Sequence, residues 1–251
     1  MSALRDPRLV AVGERLREVR AVVPFLSSKG GVGKTLVSVA TALALRKRGA
    51  RVGLLDLDVT NPTVHVVLGI RPGSVAPREE YGVVPPEVSG VRVMSSVFYT
   101  LGRPSPLRGE SISSAIRELL SITRWGPLDV LVVDTPPGMS DELLELLTYI
   151  RRFSSFLVTT PSRLSLESTA RLAELVAGRV IGVVLNMAWE VPEEAVRLAD
   201  RLSAPLYVIP YDSSVEVSLG NPEKLAETRF AKAVDAYVAE HVLKLLSAAQ
   251  T

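Results

Sequence analysis

Eight residues constrain this chain more than any other stretch: Ser28-Lys29-Gly30-Gly31-Val32-Gly33-Lys34-Thr35. They follow the apolar run Val22–Leu26 and open a helix-period segment, Lys34–Arg48, with Val37, Ala40, Leu43 and Ala44 on one face. Glycines let the main chain turn tightly, so that successive N–H groups point at one spot. The helix behind the loop adds the positive end of its dipole. Strand, glycine-rich loop and helix in that order make a cradle for a polyphosphate. Gly30, Gly31, Val32, Gly33, Lys34, Thr35 and Leu36 would form its wall. Lys34 would set an ammonium against the β and γ phosphates, and the Thr35 hydroxyl would ligate Mg2+. Ser28 stands where the ordinary pattern has glycine, and Lys29 adds a second lysine near the loop's start.

The rest of the chain alternates strand-like and helix-period segments. Strands are expected at Arg51–Asp56, Gly90–Ser95, Leu128–Asp134, Ser155–Thr160, Val180–Asn186 and Pro205–Ile209. Helices are expected at Ser111–Thr123, Asp141–Ile150, Leu164–Ala177, Pro192–Leu202 and Pro222–Ser247. Gly49 would close the first long helix as a left-handed cap. Leu128–Asp134 is apolar throughout, as in a strand covered on both faces. The alternation predicts an α/β fold, a mainly parallel sheet with helices on both faces. Residues 1–20 read as an N-terminal helical extension and 21–251 as one nucleotide-binding domain. Ile70–Pro86, rich in Gly and Pro, reads as a surface excursion, and Gly102–Pro106 is a second proline-rich stretch.

Two strand ends carry acids. In Leu54-Leu55-Asp56-Leu57-Asp58-Val59 the aspartates are two residues apart, a spacing that puts both on one side of a strand. At the carboxyl edge of a parallel sheet, that side faces the ligand crevice. One carboxylate can serve Mg2+ through water and the other can orient an attacking water, the role assigned to Asp58. Val130–Val133 leads into Asp134-Thr135-Pro136-Pro137-Gly138, a rigid strand that would hold Asp134 at the metal. The Gly138 N–H is placed to reach the γ-phosphate. The metal set is therefore Thr35, Asp58 and Asp134, and the catalytic set Lys29, Lys34 and Asp58.

Composition removes other chemistries. The chain has no cysteine, so disulfides, a thiol nucleophile and a cluster on its own thiolates are excluded. His65 and His241 are too far apart in sequence to suggest a histidine metal site. Gly-x-Ser-x-Gly is absent. The 29 basic and 27 acidic residues leave a net charge of +2, no footprint for nucleic acid. The charged opening MSALRDPRLV lacks a signal peptide's apolar core, and no apolar run spans a bilayer, which predicts a cytoplasmic protein.

Taken together, these motifs resemble the Mrp/ApbC-like ATPases, relatives of MinD, ParA and the nitrogenase iron protein. Asp56–Thr63 with Leu68-Gly69 is similar to that family's D-x-D-[IV]-x-x-P-[ST] run and later L-G. Val93–Phe98 is similar to its V-M-S strand. Arg108-Gly109, Ala115-Ile116 and Trp125-Gly126 recur in order. Asp134–Glu142 is similar to P-P-G-T-x-D-E, and Asn186-Met187 to its late N-M. The resemblance covers roughly residues 20–230. It implies a slow Mg2+-dependent ATPase that sandwiches nucleotide in a homodimer, with Lys29 reaching the partner copy's nucleotide much as an arginine finger does. The family's C-x-x-C, which holds a bridging iron–sulfur cluster, is replaced here by Ala188-Trp189-Glu190-Val191.

Base choice favours ATP over GTP. The guanine motif N-K-x-D is missing, and the Asn186 amide can pair with adenine N6 and N7. By resemblance, Pro210-Tyr211-Asp212 lines the base's other side. Leu9, Val12, Leu16 and Val19 form a helical stripe among arginines, expected to pack on the domain. Val234, Val238, Val242 and Leu245 form another, with few cations to favour a membrane. Expected partners are ATP or ADP, a second copy and a protein partner, with nucleic acid and membrane disfavoured by the charge pattern but left open. The other reading of the same motifs is a MinD/ParA-like ATP-gated adaptor or positioning protein that binds membrane, DNA or a protein partner.

Overall fold

A computed structural model describes residues 6–103, 106–176 and 178–248. The chain opens with α1 (Pro7–Arg15), β1 (Val19–Leu26), α2 (Lys34–Lys47), β2 (Val52–Asp56) and α3 (Val64–Leu68). A short hairpin, β3 (Arg78–Glu79) and β4 (Val83–Val84), precedes β5 (Glu87–Val88), β6 (Val91–Met94), α4 (Val97–Thr100) and α5 (Glu110–Ile122). Then come β7 (Leu128–Asp134), α6 (Asp141–Tyr149), β8 (Ser155–Thr159), α7 (Arg163–Leu175), β9 (Val180–Ala188), α8 (Glu193–Arg201) and β10 (Leu206–Pro210). The described chain ends with α9 (Ser214–Ser218), α10 (Pro222–Glu227), α11 (Arg229–Ala233), a π-helical stretch Val234–Ala239, and α12 (Glu240–Ala248).

Eight strands form one sheet in the order β10-β9-β8-β1-β7-β2-β6-β5, parallel except for the β5–β6 pair. Parallel pairing suits these sequences because both faces are covered. Val130, Leu131, Val132 and Val133 of β7 are all fully buried. β7 lies between β1 and β2, with Phe25 opposite Asp134 on one side and Asp56 opposite Asp134 on the other. The phosphate-loop strand and both acidic strand ends are therefore adjacent, all pointing the same way. That register positions the site.

α2 packs on β1, β2 and β7 and is itself covered by the π-helical stretch. It ends as expected: Gly49 has φ +90°, and the Gly49 and Ala50 amides donate back to Arg46 and Leu45 at 3.0 and 3.1 Å. α1 packs on α5 with Val12 fully buried, and the Tyr149 hydroxyl donates to Asp6 at 2.7 Å.

Some local expectations are corrected. Val19 and Arg20 open β1, so the helical stripe stops at Arg15; pairing of Val19 with Leu128 outweighs its helical spacing. Pro222–Ser247 is not one helix, because Thr228 adopts extended backbone and caps α11 by accepting from the Ala231 amide at 3.0 Å. The Ile70–Pro86 excursion contains the β3–β4 hairpin. The helix end at Ala177 lies outside the described residues, as do Pro104, Ser105 and positions 1–5 and 249–251 of the proposed boundaries.

Candidate functional site

The loop after β1 turns through two glycines in the left-handed region, Gly31 (φ +79°) and Gly33 (φ +78°). Gly33 is also hemmed in: a Cβ there would lie 2.3 Å from Asn186 Nδ2. Only glycine combines that φ with that approach. α2 starts at once with Lys34, so its first amides, which helix geometry leaves without intrahelical acceptors, line the loop. Lys29, Gly30, Gly31, Val32, Gly33, Lys34, Thr35, Leu36 and Asp58 share one cavity of about 390 Å3, with Asn61, Thr63, Val66, Pro137 and Leu219.

Beneath the loop sits Asp134 at the end of β7. Lys34 Nζ donates to its Oδ1 at 2.5 Å, and the Thr35 hydroxyl donates to its Oδ2 at 2.7 Å. Lys34 is 7% exposed and Asp134 1%. The lysine and hydroxyl expected to face phosphate and metal are thus held by the strand-end carboxylate. Two buried polar atoms near the loop lack partners among the described residues, Ser27 Oγ and Asn186 Oδ1. Buried polar groups ordinarily find partners, so unmet valences here point to a polar ligand.

Asp56 and Asp58 part company. β2 ends at Asp56, and Asp58 lies in the following loop, so strand alternation does not set its direction. Asp56 is fully buried, accepting from Ser95 Oγ (3.2 Å), the Asp58 amide (3.2 Å) and the Val64 amide (3.4 Å). Burial, then the neighbouring Asp134 and Asp58 carboxylates, push its pKa well above the usual range. Asp58 lines the cavity. Burial raises its pKa too, opposed by hydrogen bonds to its Oδ1 from the Asn61 amide (2.9 Å) and Thr60 Oγ1 (3.1 Å).

The donor set suits a hard cation: the Thr35 hydroxyl and the carboxylates of Asp134 and Asp58 are all oxygen ligands. Among the described residues no three His, Cys, Asp or Glu side chains are grouped to hold a metal by themselves. Mg2+ is commonly held by one or two carboxylates completed by phosphates and water, and these residues fit that pattern.

Other expected residues behave differently. The Gly138 amide, expected at a γ-phosphate, donates to Ser27 O at 2.8 Å. Asn186 Nδ2 donates one of its two hydrogens to Val32 O at 2.8 Å, which braces the loop, while its Oδ1 has no partner among the described residues. Pro210, Tyr211 and Asp212 do not line the loop cavity. Tyr211 is exposed and its amide donates to Ala188 O at 3.3 Å. Asp212 is occupied by capping: Oδ1 accepts from the Ser214 amide and hydroxyl (3.0 and 2.7 Å) and Oδ2 from the Phe230 amide (3.2 Å), which hold its pKa down at about 2. Thr63, whose hydroxyl lies 3.4 Å from that of Thr35, was not singled out from sequence, although it closes the Asp56–Thr63 run. Lys29 is exposed and forms no ion pair among the described residues.

The chain is 41% identical over 178 residues to an iron-sulfur cluster carrier protein of Pseudomonas fragi, a match covering 69% of this chain and 62% of that protein. The chain thus spans less than two thirds of that relative's length. It is 37% identical over 184 residues to the cytosolic Fe-S cluster assembly factor Nubp2 homolog 2 of Drosophila yakuba, covering 69% and 70%. Among solved structures, it superposes with TM-score 0.71 on a nucleotide-binding protein from Archaeoglobus fulgidus in complex with ADP, at 29% identity over 87% of this chain and 93% of that one. The MinD of Pyrococcus horikoshii complexed with Mg-ADP shares the fold, with TM-score 0.66, 23% identity and coverage of 91% and 98%. Residues 18–200 match the family described as ParA, NUBPL iron-transfer P-loop NTPase, and the chain belongs to that family.

Proposed function

We propose that this protein is a cytoplasmic, Mg2+-dependent ATPase whose nucleotide state governs association of two copies. The supporting observation is the pairing of Lys34 and Thr35 with Asp134 under a cavity walled by the glycine-rich loop. A triphosphate in that cavity offers Lys34 a better-placed anion and draws it off the carboxylate. Thr35, Asp134 and, through water, Asp58 would hold Mg2+, which supplies charge neutralisation on the phosphates when bound. Phosphoryl transfer asks mainly for positioning and electrostatic stabilisation. Loop amides and Lys34 position the phosphates, Asp58 orients the attacking water, and Asn186 Oδ1 accepts from the base. Lys29 stands exposed at the cavity wall and acts on the nucleotide of the partner copy. Release of the γ-phosphate lets the Gly138 amide return to Ser27 O.

The named relatives carry or assemble iron–sulfur clusters. This chain has no cysteine, so any cluster it serves draws its thiolates from a partner protein. We assign it the ATP-switched half of such a task. Lys34→Ala should abolish ATP binding in calorimetry. Lys29→Ala should keep ATP binding while lowering turnover at least tenfold, and should lose the dimer seen by light scattering with a non-hydrolysable ATP analogue. Normal ATP hydrolysis by Lys34→Ala refutes the assignment.

A further inference from the structure

A cavity of about 1050 Å3 lies at the amino ends of β1 and β8, between α1 and α12. Its lining is mainly apolar, with Leu9, Leu16, Val22, Phe153, Val242 and Leu246 among the residues that form it. Every charged residue in the lining is an arginine. Two of these are matched by acids outside it: Arg17 pairs with Glu14 at 3.1 Å, and Arg20 with Asp129 at 3.4 Å. The other three, Arg151, Arg152 and Arg179, have no acidic partner among the described residues. Arg151 and Arg152 directly precede Phe153 in the chain, and the Arg179 guanidinium lies 4.8 Å from the centre of the Phe153 ring.

A second observation comes from α1. Gly13 sits inside this helix and lines the cavity, and a Cβ there would meet nothing within 4 Å. Glycine destabilises a helix relative to alanine, and no crowding by the protein itself demands it here. Its missing side chain widens the cavity.

We propose that this cavity binds an anionic amphiphile with a single acyl chain, its head on Arg151, Arg152 and Arg179 and its tail along α1, β1 and α12. Ligand pockets share this composition, an apolar lining with a few placed polar groups. Guanidinium forks suit carboxylate or phosphate heads. An acidic peptide helix fits less well. Its carboxylates would be spread along its length, whereas the three arginines come from two short segments that meet at Phe153.

The test is calorimetric titration of the full chain with sodium dodecanoate below its micelle-forming concentration. Saturable binding of one dodecanoate per chain is expected, at least tenfold tighter than dodecyltrimethylammonium. The triple variant Arg151→Ala/Arg152→Ala/Arg179→Ala should bind at least tenfold more weakly. So should Gly13→Leu, which fills the cavity and favours the helix. Both variants should keep the wild-type circular dichroism and ATP affinity. Absence of saturable binding, equal binding by the triple variant, or attachment only to phosphatidylglycerol vesicles or to an acidic amphipathic peptide overturns the proposal.

Discussion

Replacing Asp134 with asparagine tests the electrostatics of the phosphate loop directly. The Lys34–Asp134 pair is 2.5 Å long and nearly dry, at 7% and 1% exposure. With an effective dielectric of about 20, the gross attraction at that distance is about 7 kcal/mol, most of it spent on removing both charges from water. Loss of one partner is the costly event, about 3–5 kcal/mol, because it strands the other charge. Two features favour the low end. The asparagine carbonyl can still accept from Lys34. Asp56, whose ionisation Asp134 opposes, can ionise more readily once Asp134 is gone. A loss of about 3 kcal/mol corresponds to a melting point lower by roughly 6–12 °C in a chain of this size. The assay is a thermal melt in EDTA, with and without ATP. ATP should raise the melting point of Asp134→Asn more than that of the wild type, since the variant has no ion pair to surrender. Combining Asp134→Asn with Lys34→Met should destabilise by at least about 1 kcal/mol less than the sum of the single variants. A nucleotide-free Asp134→Asn that melts within about 2 °C of wild type would refute the reasoning.

Gly33→Ala should cost roughly 1–3 kcal/mol for the left-handed residue alone, and the clash with Asn186 should shift the loop enough to abolish ATP binding in calorimetry. Asn186→Ala removes the donor to Val32 O and should cost about 1–3 kcal/mol by denaturant melt, with ATP affinity falling more than the melt alone explains. Asp56 has a folded pKa raised by burial, so its contribution to stability is fully present below about pH 4 and is lost as pH rises through the raised value. Nucleotide-free wild type should therefore lose stability relative to Asp56→Asn as pH climbs from about 4 to 8. Parallel melting curves for the two proteins over that range would count against a protonated Asp56.

The features legible in the sequence were the ones carried by local pattern. A glycine-rich loop announces itself because positive φ values and close approach leave little choice of residue, as at Gly33. β7 announces itself because a strand covered on both faces must be apolar along its length, as Val130–Val133 are. What stayed hidden depends on partners far along the chain. Nothing near Lys34 says that a carboxylate 100 positions away holds it. Asp58 has strand-like spacing from Asp56, but β2 stops where the Leu57 amide turns to Asp134 O at 2.8 Å, and the spacing loses its meaning there. Asp212 fits a base-binding loop by resemblance, while its oxygens are taken by the Ser214 and Phe230 amides, the latter from a helix the sequence reading merged into a longer one. The arginine groove joins both ends of the described chain to its middle, and no linear stretch contains it.

The position of Asp134 also explains why nucleotide and cation should bind as a pair. Its two oxygens accept from Lys34 and Thr35, and the buried charge is compensated. A triphosphate that draws Lys34 away leaves that carboxylate beside Asp56 with its compensation gone, in a place water scarcely reaches. An ionised carboxylate stranded there must regain a cation. ATP alone should therefore bind weakly, and ATP with Mg2+ at least tenfold more tightly. Calorimetric titration with ATP in EDTA and with ATP in Mg2+ reads the difference. Equal affinity with and without Mg2+ would mean that Lys34 never leaves Asp134, and the loop would then have to grip its phosphates with amides alone.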